Sequence, residues 1–235
     1  PIVRTTYAEM HGRARRVSSA LLAWGVKPGD RIATLAWNTG RHMEAWYGIM
    51  GIGAVCHTLN PRLFPEQLIY IINHAEDRMI FVDLTFVPLL EAILPHCPSV
   101  EKVIVMTDEW TMPATKLPAA ECYEQVLSEA SEDVTWGGFD EQTACGLCYT
   151  SGTTGNPKVI LPVVPMFHAN AWGIAFGGPA AGSKLVLPGA KMDGESIYEL
   201  IVSEGVTFSA AVPTVWQGLL AHLRDNKLQI PTVKR

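Results

Sequence analysis

Ten consecutive residues, Tyr149-Thr150-Ser151-Gly152-Thr153-Thr154-Gly155-Asn156-Pro157-Lys158, have types and spacing that could do chemistry. Gly152 and Gly155 let the backbone come close to a ligand and adopt positive φ. The hydroxyls of Thr150, Ser151, Thr153 and Thr154, with the free backbone N–H groups, can donate to anionic oxygens. Successive N–H groups in such a turn form an anion-binding concavity. Lys158 adds a mobile positive point charge. The combination suits a polyphosphate. It is not a Walker A loop, which needs Gly, four residues, then Gly-Lys-Ser/Thr; Lys158 here follows Pro157 and precedes Val159. On composition alone, a polar turn between strands is an equal alternative.

Three other groups of residues invite a reading. His168 and Trp172 lie four apart and share a face if helical; spacing alone favours packing, with a core histidine and a core tryptophan. Cys145-Gly146-Leu147-Cys148 has redox or zinc-like spacing. It lies in an apolar segment that reads as a buried strand, where positions i and i+3 face opposite sides. No second cysteine pair accompanies it, so both thiols read as buried and inert. The five cysteines are few for the length, which points to a reducing, cytoplasmic setting. Arg13, Arg15 and Arg16 read as the solvated side of the first helix.

The elements that must position these residues follow from composition and periodicity. Of 235 residues, 48% are apolar and 17% charged, enough for a sizeable core and incompatible with global disorder. A net charge of −5 argues against a nucleic-acid binder. No run approaches the roughly 18–20 apolar residues of a membrane helix, so no membrane anchor is expected. The start, Pro1-Ile2-Val3-Arg4, shows no signal-peptide pattern. Thr6 and Glu9 have capping-box spacing, and Met10, Ala14, Val17, Leu21 and Trp24 follow at helical period up to Gly25. Strands are expected at 32–36, 54–59, 79–82 and 102–106, alternating with helices at 41–50, 65–74 and 87–94. After an acidic connection at 107–143, holding a short helix near 123–130, the alternation resumes with 144–149, 184–187, 196–204, 207–211 and a helix from about 214 to 223. Such alternation implies an α/β fold with largely parallel sheets. The domain reading is a first α/β portion at 1–106, the connection at 107–143, and a second α/β portion at 144–235 carrying the glycine and hydroxyl loop.

The complete string resembles the phosphate-binding signature of the adenylate-forming superfamily. That pattern is Thr-Ser-Gly-Thr-Thr-Gly-x-Pro-Lys-Gly, and nine of its ten positions are met. Tyr7-Ala8-Glu9, the run Gly25-Val26-Lys27-Pro28-Gly29-Asp30-Arg31 and Gly51-Ile52-Gly53-Ala54-Val55 are similar to the family's N-terminal region. His57-Thr58-Leu59-Asn60-Pro61-Arg62-Leu63, the segment from Pro165 through His168 and Trp172 to Gly173, and Ala211-Val212-Pro213-Thr214-Val215-Trp216 resemble its medium- and long-chain fatty-acid branch. The resemblance implies the large N-terminal domain of that fold, with mostly parallel sheets flanked by helices. It also implies a fatty-acid–CoA ligase that uses ATP, Mg2+ and coenzyme A. In that reaction the carboxylate attacks the α-phosphate of ATP, and the thiol of coenzyme A then attacks the acyl-adenylate. By the same resemblance, Thr150, Ser151, Gly152, Thr153, Thr154, Gly155 and Lys158 hold the β- and γ-phosphates. Lys158 stabilises the charge on the departing pyrophosphate, and Thr150 is the first choice for a Mg2+ ligand. His168 borders the carboxylate and adenylate, Ala169 sits beside the adenosine or acyl path, and Trp172 lines the acyl tunnel. Val212, Pro213 and Thr214 belong to the pocket wall or to the core. Homodimers occur in the fatty-acid branch. A ligase for aryl or short-chain acids is the alternative within the fold, and a non-catalytic nucleotide-binding module is the alternative outside it.

The sequence departs from the family in three places. Lys158 should precede Gly and a helix-containing stretch, yet Val159-Ile160-Leu161-Pro162 leads straight into Pro165-Met166-Phe167-His168. A few dozen family residues are missing there, either unrecorded in this sequence or genuinely deleted, and a deletion displaces Lys158. The family's Tyr-Gly-x-Thr-Glu motif and its small C-terminal domain, with the principal catalytic lysine, lie beyond Arg235. The sequence therefore reads as the front part of an enzyme.

Overall fold

The first helix, α1 (Tyr7–Ala23), starts where the sequence places it. The Glu9 N–H donates to the Thr6 hydroxyl at 3.1 Å, and the Thr6 N–H donates to the Glu9 carboxylate at 2.7 Å. This reciprocal pair satisfies two otherwise orphaned donors of the first turn. Gly25, at φ +77°, takes the left-handed conformation just past the helix. The computed structural model describes residues 3–147, 159–167, 171, 173–180 and 183–233.

Contacts divide the chain into two compact units, 1–36 with 40–148, and 37–39 with 149–235. The first unit holds a parallel sheet of β1 (Arg31–Leu35), β2 (Val55–Thr58), β3 (Met79–Val82), β4 (Lys102–Val105), β5 (Ala120–Cys122) and β6 (Gly146–Leu147). Their order is β5-β4-β3-β1-β2-β6, with Ile32 level with both Cys56 and Met79. β2 and β3 are buried throughout, as strands covered on both faces should be. Helices α2 (Gly40–Gly51), α3 (Pro65–Ala75), α4 (Val87–Ile93) and α5 (Tyr123–Glu129) make the connections. Helix α2 lies close on α1 because Gly48 has no side chain; a Cβ there would meet the Ala14 carbonyl and Val17 Cβ at 2.7 Å.

The three α1 arginines depart from expectation. They are cross-ties rather than a solvated face. Arg13 donates to Glu44 of α2 at 2.8 Å and pairs bidentately with Glu124 of α5 at 3.0 and 2.9 Å. The buried Tyr123 hydroxyl donates to the other Glu44 oxygen at 2.8 Å. Arg15 reaches the Val134 carbonyl and Arg16 pairs with Glu132. A buried carboxylate such as Glu44 costs several kcal/mol in desolvation unless it is paired in this way.

The second unit contains a parallel sheet of β7 (Val159–Pro162), β8 (Lys184–Leu185) and β9 (Phe208–Ala210) in the order β8-β7-β9. Helices α6 (Ile174–Ala180), α7 (Gly194–Glu204) and α8 (Pro213–Asp225) accompany it. Asp193 caps α7 by accepting the Ser196 N–H at 2.9 Å, and Gly205 closes it at φ +63°. Leu161, Val163, Val186, Ile197, Ile201, Val206 and Leu219 form its core. The fold is α/β, with mostly parallel sheets flanked by helices.

Candidate functional site

The loop at 149–158, with Thr150, Ser151, Gly152, Thr153, Thr154, Gly155 and Lys158, lies outside the described residues, as do His168, Ala169 and Trp172. The structure describes the chain on either side of them. The incoming arm is β6. It runs parallel to β2, with Gly146 level with Cys56 and Leu147 level with His57. The Cys56 N–H donates to the Cys145 carbonyl at 3.0 Å. The chain therefore leaves β6 at the carboxyl end of a parallel sheet, where ligands of α/β proteins bind. Among the described residues β6 comprises Gly146 and Leu147, and it is the outermost strand of that sheet.

The outgoing arm is β7, the central strand of its sheet. The Val159 N–H donates to the Thr207 hydroxyl at 3.2 Å, and the Thr207 N–H donates to the Val159 carbonyl at 3.0 Å. The chain passes from Lys158 straight into this strand. An anion-binding loop that opens a helix gains the field of the helix N-terminus; a strand supplies none.

A third segment, 163–167, leads to His168 and is organised by a residue that sequence reasoning did not single out. Asn38 is 1% exposed. Its amide N–H groups donate to the carbonyls of Pro162 and Val164, both at 3.1 Å, and its side-chain oxygen accepts the Met166 N–H at 2.8 Å. Its backbone carbonyl accepts the Gly189 N–H at 3.1 Å. Three side-chain bonds thus fix the course of the backbone just before His168. Phe167 is buried and its ring lies 6.5 Å from that of Trp37. The available sequence signal was slight: one amide residue in the run Ala36-Trp37-Asn38 after a buried strand.

The string that begins at His57 is fold hardware in the first unit. His57 Nδ1 lies 2.8 and 3.0 Å from the two Asp77 oxygens, and both residues are buried. Burial pushes the Asp77 carboxyl above its usual range, against the opposing pull of His57 and Arg31. Among the described residues, His57 Nε2 is buried and has no hydrogen-bond partner. Asn60 accepts the Arg62 N–H at 2.9 Å and so shapes the turn that follows.

Two expectations are corrected. Cys145 is exposed, because β6 is a short strand on the sheet edge and not a buried one; Cys148 falls outside the described residues. Pro213 and Thr214 are exposed at the start of α8, so neither packs in the core of its unit. Among the described residues no group of three or more His, Cys, Asp or Glu side chains could hold a metal ion. Among the described residues no helix is long and apolar enough to cross a membrane.

A family model described as AMP-binding enzyme matches residues 2–161 and 158–234. The two matches meet at the end of the loop, where the sequence runs short. The chain is 43% identical over 262 residues to a 3-methylmercaptopropionyl-CoA ligase of Ruegeria lacuscaerulensis, covering 100% of this chain and 49% of that protein. It is 43% identical to a medium-chain-fatty-acid–CoA ligase of Ectopseudomonas oleovorans, covering 96% of this chain and 46% of that protein. The chain spans about half the length of these relatives. The fold matches a crystal structure of an anthranilate CoA ligase in complex with anthranoyl-AMP, with a TM-score of 0.84 at 19% identity, over 99% of this chain and 49% of that one. With the family model spanning nearly every residue, the chain belongs to the AMP-binding enzymes.

Proposed function

We propose that the native protein carrying this sequence activates a fatty acid with ATP and transfers it to coenzyme A. One observation carries the reading: the hydroxyl and glycine string 149–158 follows a parallel strand at the carboxyl end of its sheet, in a chain 43% identical to two acid–CoA ligases. A carboxylate oxygen attacks the α-phosphorus, the bond to the bridging oxygen breaks, and pyrophosphate leaves. The thiolate of coenzyme A then attacks the acyl carbon and AMP leaves. The chain's part in the first step is positioning and electrostatics. The donors of Thr150, Ser151, Gly152, Thr153, Thr154 and Gly155, with the Lys158 ammonium, meet charge that grows on the departing pyrophosphate. Thr150 would hold Mg2+, which would supply further neutralisation of the phosphates. His168 and Ala169 face the carboxylate and adenylate, and Trp172 lines the acyl path. The protein works in the cytoplasm, in keeping with the buried thiols of Cys97 and Cys122.

Acid-dependent exchange of labelled pyrophosphate into ATP, run on the native protein with fatty, aryl, short-chain and methylthio acids, tests this. Exchange is expected with medium- and long-chain acids. Exchange confined to aryl or short-chain acids moves the substrate class. A second reading, a nucleotide-binding module without turnover, draws support from the direct passage of Lys158 into β7 and from the two family matches that meet at 158–161. ATP binding without exchange under any acid decides for it.

A further inference from the structure

We propose that Trp136, seated on Gly51, is a positioning clamp that fixes where the chain enters the phosphate-binding loop; this rests on the function proposed above. The incoming arm needs such a device. Among the described residues β6 comprises Gly146 and Leu147, lies outermost in its sheet and pairs only with β2. The run before it, 131–145, is largely exposed.

Within that run, one stretch is bound tightly to the body of α1 and the end of α2. The Trp136 indole covers Gly51 so closely that a Cβ there would overlap the ring. Its Nε1–H donates to the buried Ser18 hydroxyl at 2.8 Å, which itself donates to the Gly48 carbonyl at 2.6 Å. The His11 ring meets the indole edge-on at 5.0 Å. The Gly137 N–H donates to the Gly51 carbonyl at 3.1 Å. Phe139 continues the contact over Gly53, where a Cβ would come within 3.1 Å of its ring. Gly53 also closes the turn into β2, since its carbonyl accepts the Gly29 N–H at 2.8 Å. One glycine-lined surface therefore seats both the start of β2 and the strap that returns to pair with β2 as β6. From Phe139 the chain has only the run 140–145, tightened by a turn in which Asp140 accepts the Gln142 N–H at 2.8 Å, before the Cys145 carbonyl bonds to Cys56. With so little slack, the indole sets the position of Leu147, and with it the placement of the donors that follow.

Gly51→Ala separates positioning from stability. It takes away no side chain and suits a helix better than glycine, but its Cβ displaces the indole and strains the Trp136 bond to Ser18. In the native protein it is expected to raise the KM for ATP in the exchange assay about tenfold or more, the scale of misplaced binding groups. The KM for the acid is expected to stay at the wild-type level, and the melting temperature to fall no further than in the core truncation Leu90→Ala, since overpacking also destabilises. Trp136→Phe, which keeps a ring but loses the N–H, gives a smaller rise. Leu90→Ala, a core truncation in α4 away from the strap, lowers the melting temperature with no change in either KM. Amide exchange at 146–147 accelerates in Gly51→Ala with no nucleotide present. A wild-type KM for ATP in Gly51→Ala, or a rise in Leu90→Ala as large as in Gly51→Ala, overturns the clamp. A wild-type protein that shows no exchange of pyrophosphate overturns the proposed function instead. The clamp is then decided by amide exchange, where unchanged rates at 146–147 reject it.

Discussion

Removing the Asn38 side chain should unfasten the segment that leads to His168. Asn38→Ala deletes three hydrogen bonds, to Pro162, Val164 and Met166, in a site from which water is excluded. At about 1 kcal/mol each they sum to roughly 3 kcal/mol, and an orphaned buried N–H at Met166 adds about 1–3 kcal/mol. The expected loss is therefore about 4–6 kcal/mol from the stability of the second unit, at the upper end for single substitutions. Asn38→Asp sharpens the test. It keeps the shape but sets a carboxylate against two carbonyl oxygens, so it costs at least as much at neutral pH. Burial and those carbonyls raise the new carboxyl's folded pKa above its unfolded value. Such a group stabilises below its unfolded pKa, and that contribution is lost as pH rises through the folded value. The deficit of Asn38→Asp relative to wild type must therefore shrink as pH falls from 7 towards 4. Urea unfolding at several pH values, followed by circular dichroism and tryptophan emission, measures both. A cost below about 1 kcal/mol for alanine, or a deficit for aspartate that grows on acidification, would refute the reasoning.

Asp77 gives a second pH-dependent outcome. Its carboxyl is raised by burial, so the folded chain holds the proton more tightly than the unfolded chain. The resulting stability is complete below the ordinary aspartate value of about 3.9 and is lost as pH rises through the raised one. Asp77→Asn should flatten the stability profile across that window, and superimposable profiles would contradict it. Lys158→Ala in the native protein should cost about 2–4 kcal/mol of transition-state stabilisation in pyrophosphate exchange, the scale of a lost oxyanion donor; unchanged exchange kinetics remove the lysine from its role.

The sequence made visible what is local. β3 shows as Met79-Ile80-Phe81-Val82 between two charged residues, and its bounds are those expected. The start of α1 shows in the Thr6 and Glu9 pair, since both partners lie within one turn. β7 was hidden by prolines; Pro162 is its last residue, where the ladder ends and the missing N–H costs little. α6 was hidden by Gly177, Gly178 and Pro179, which oppose helix formation and are overridden by packing. The candidate loop stands in the sequence as ten adjacent residues and lies outside the described residues. Asn38 was not legible, because its partners stand 124 to 128 positions away. The α1 arginines misled for the same reason: helical spacing shows a polar stripe but says nothing of Glu44, Glu124 and Glu132. Cys145 misled because apolar neighbours signal burial only when strands flank both sides.

In the proposed function, residues 150–158 grip the polyphosphate tail of a nucleotide. A crystal structure of the native protein with a non-hydrolysable ATP analogue measures it most directly. The account predicts β- and γ-phosphoryl oxygens about 2.7–3.1 Å from the donors of residues 150–155 and the Lys158 ammonium. Phosphoryl oxygens seated on any other part of the chain, with those donors left unengaged, would contradict it.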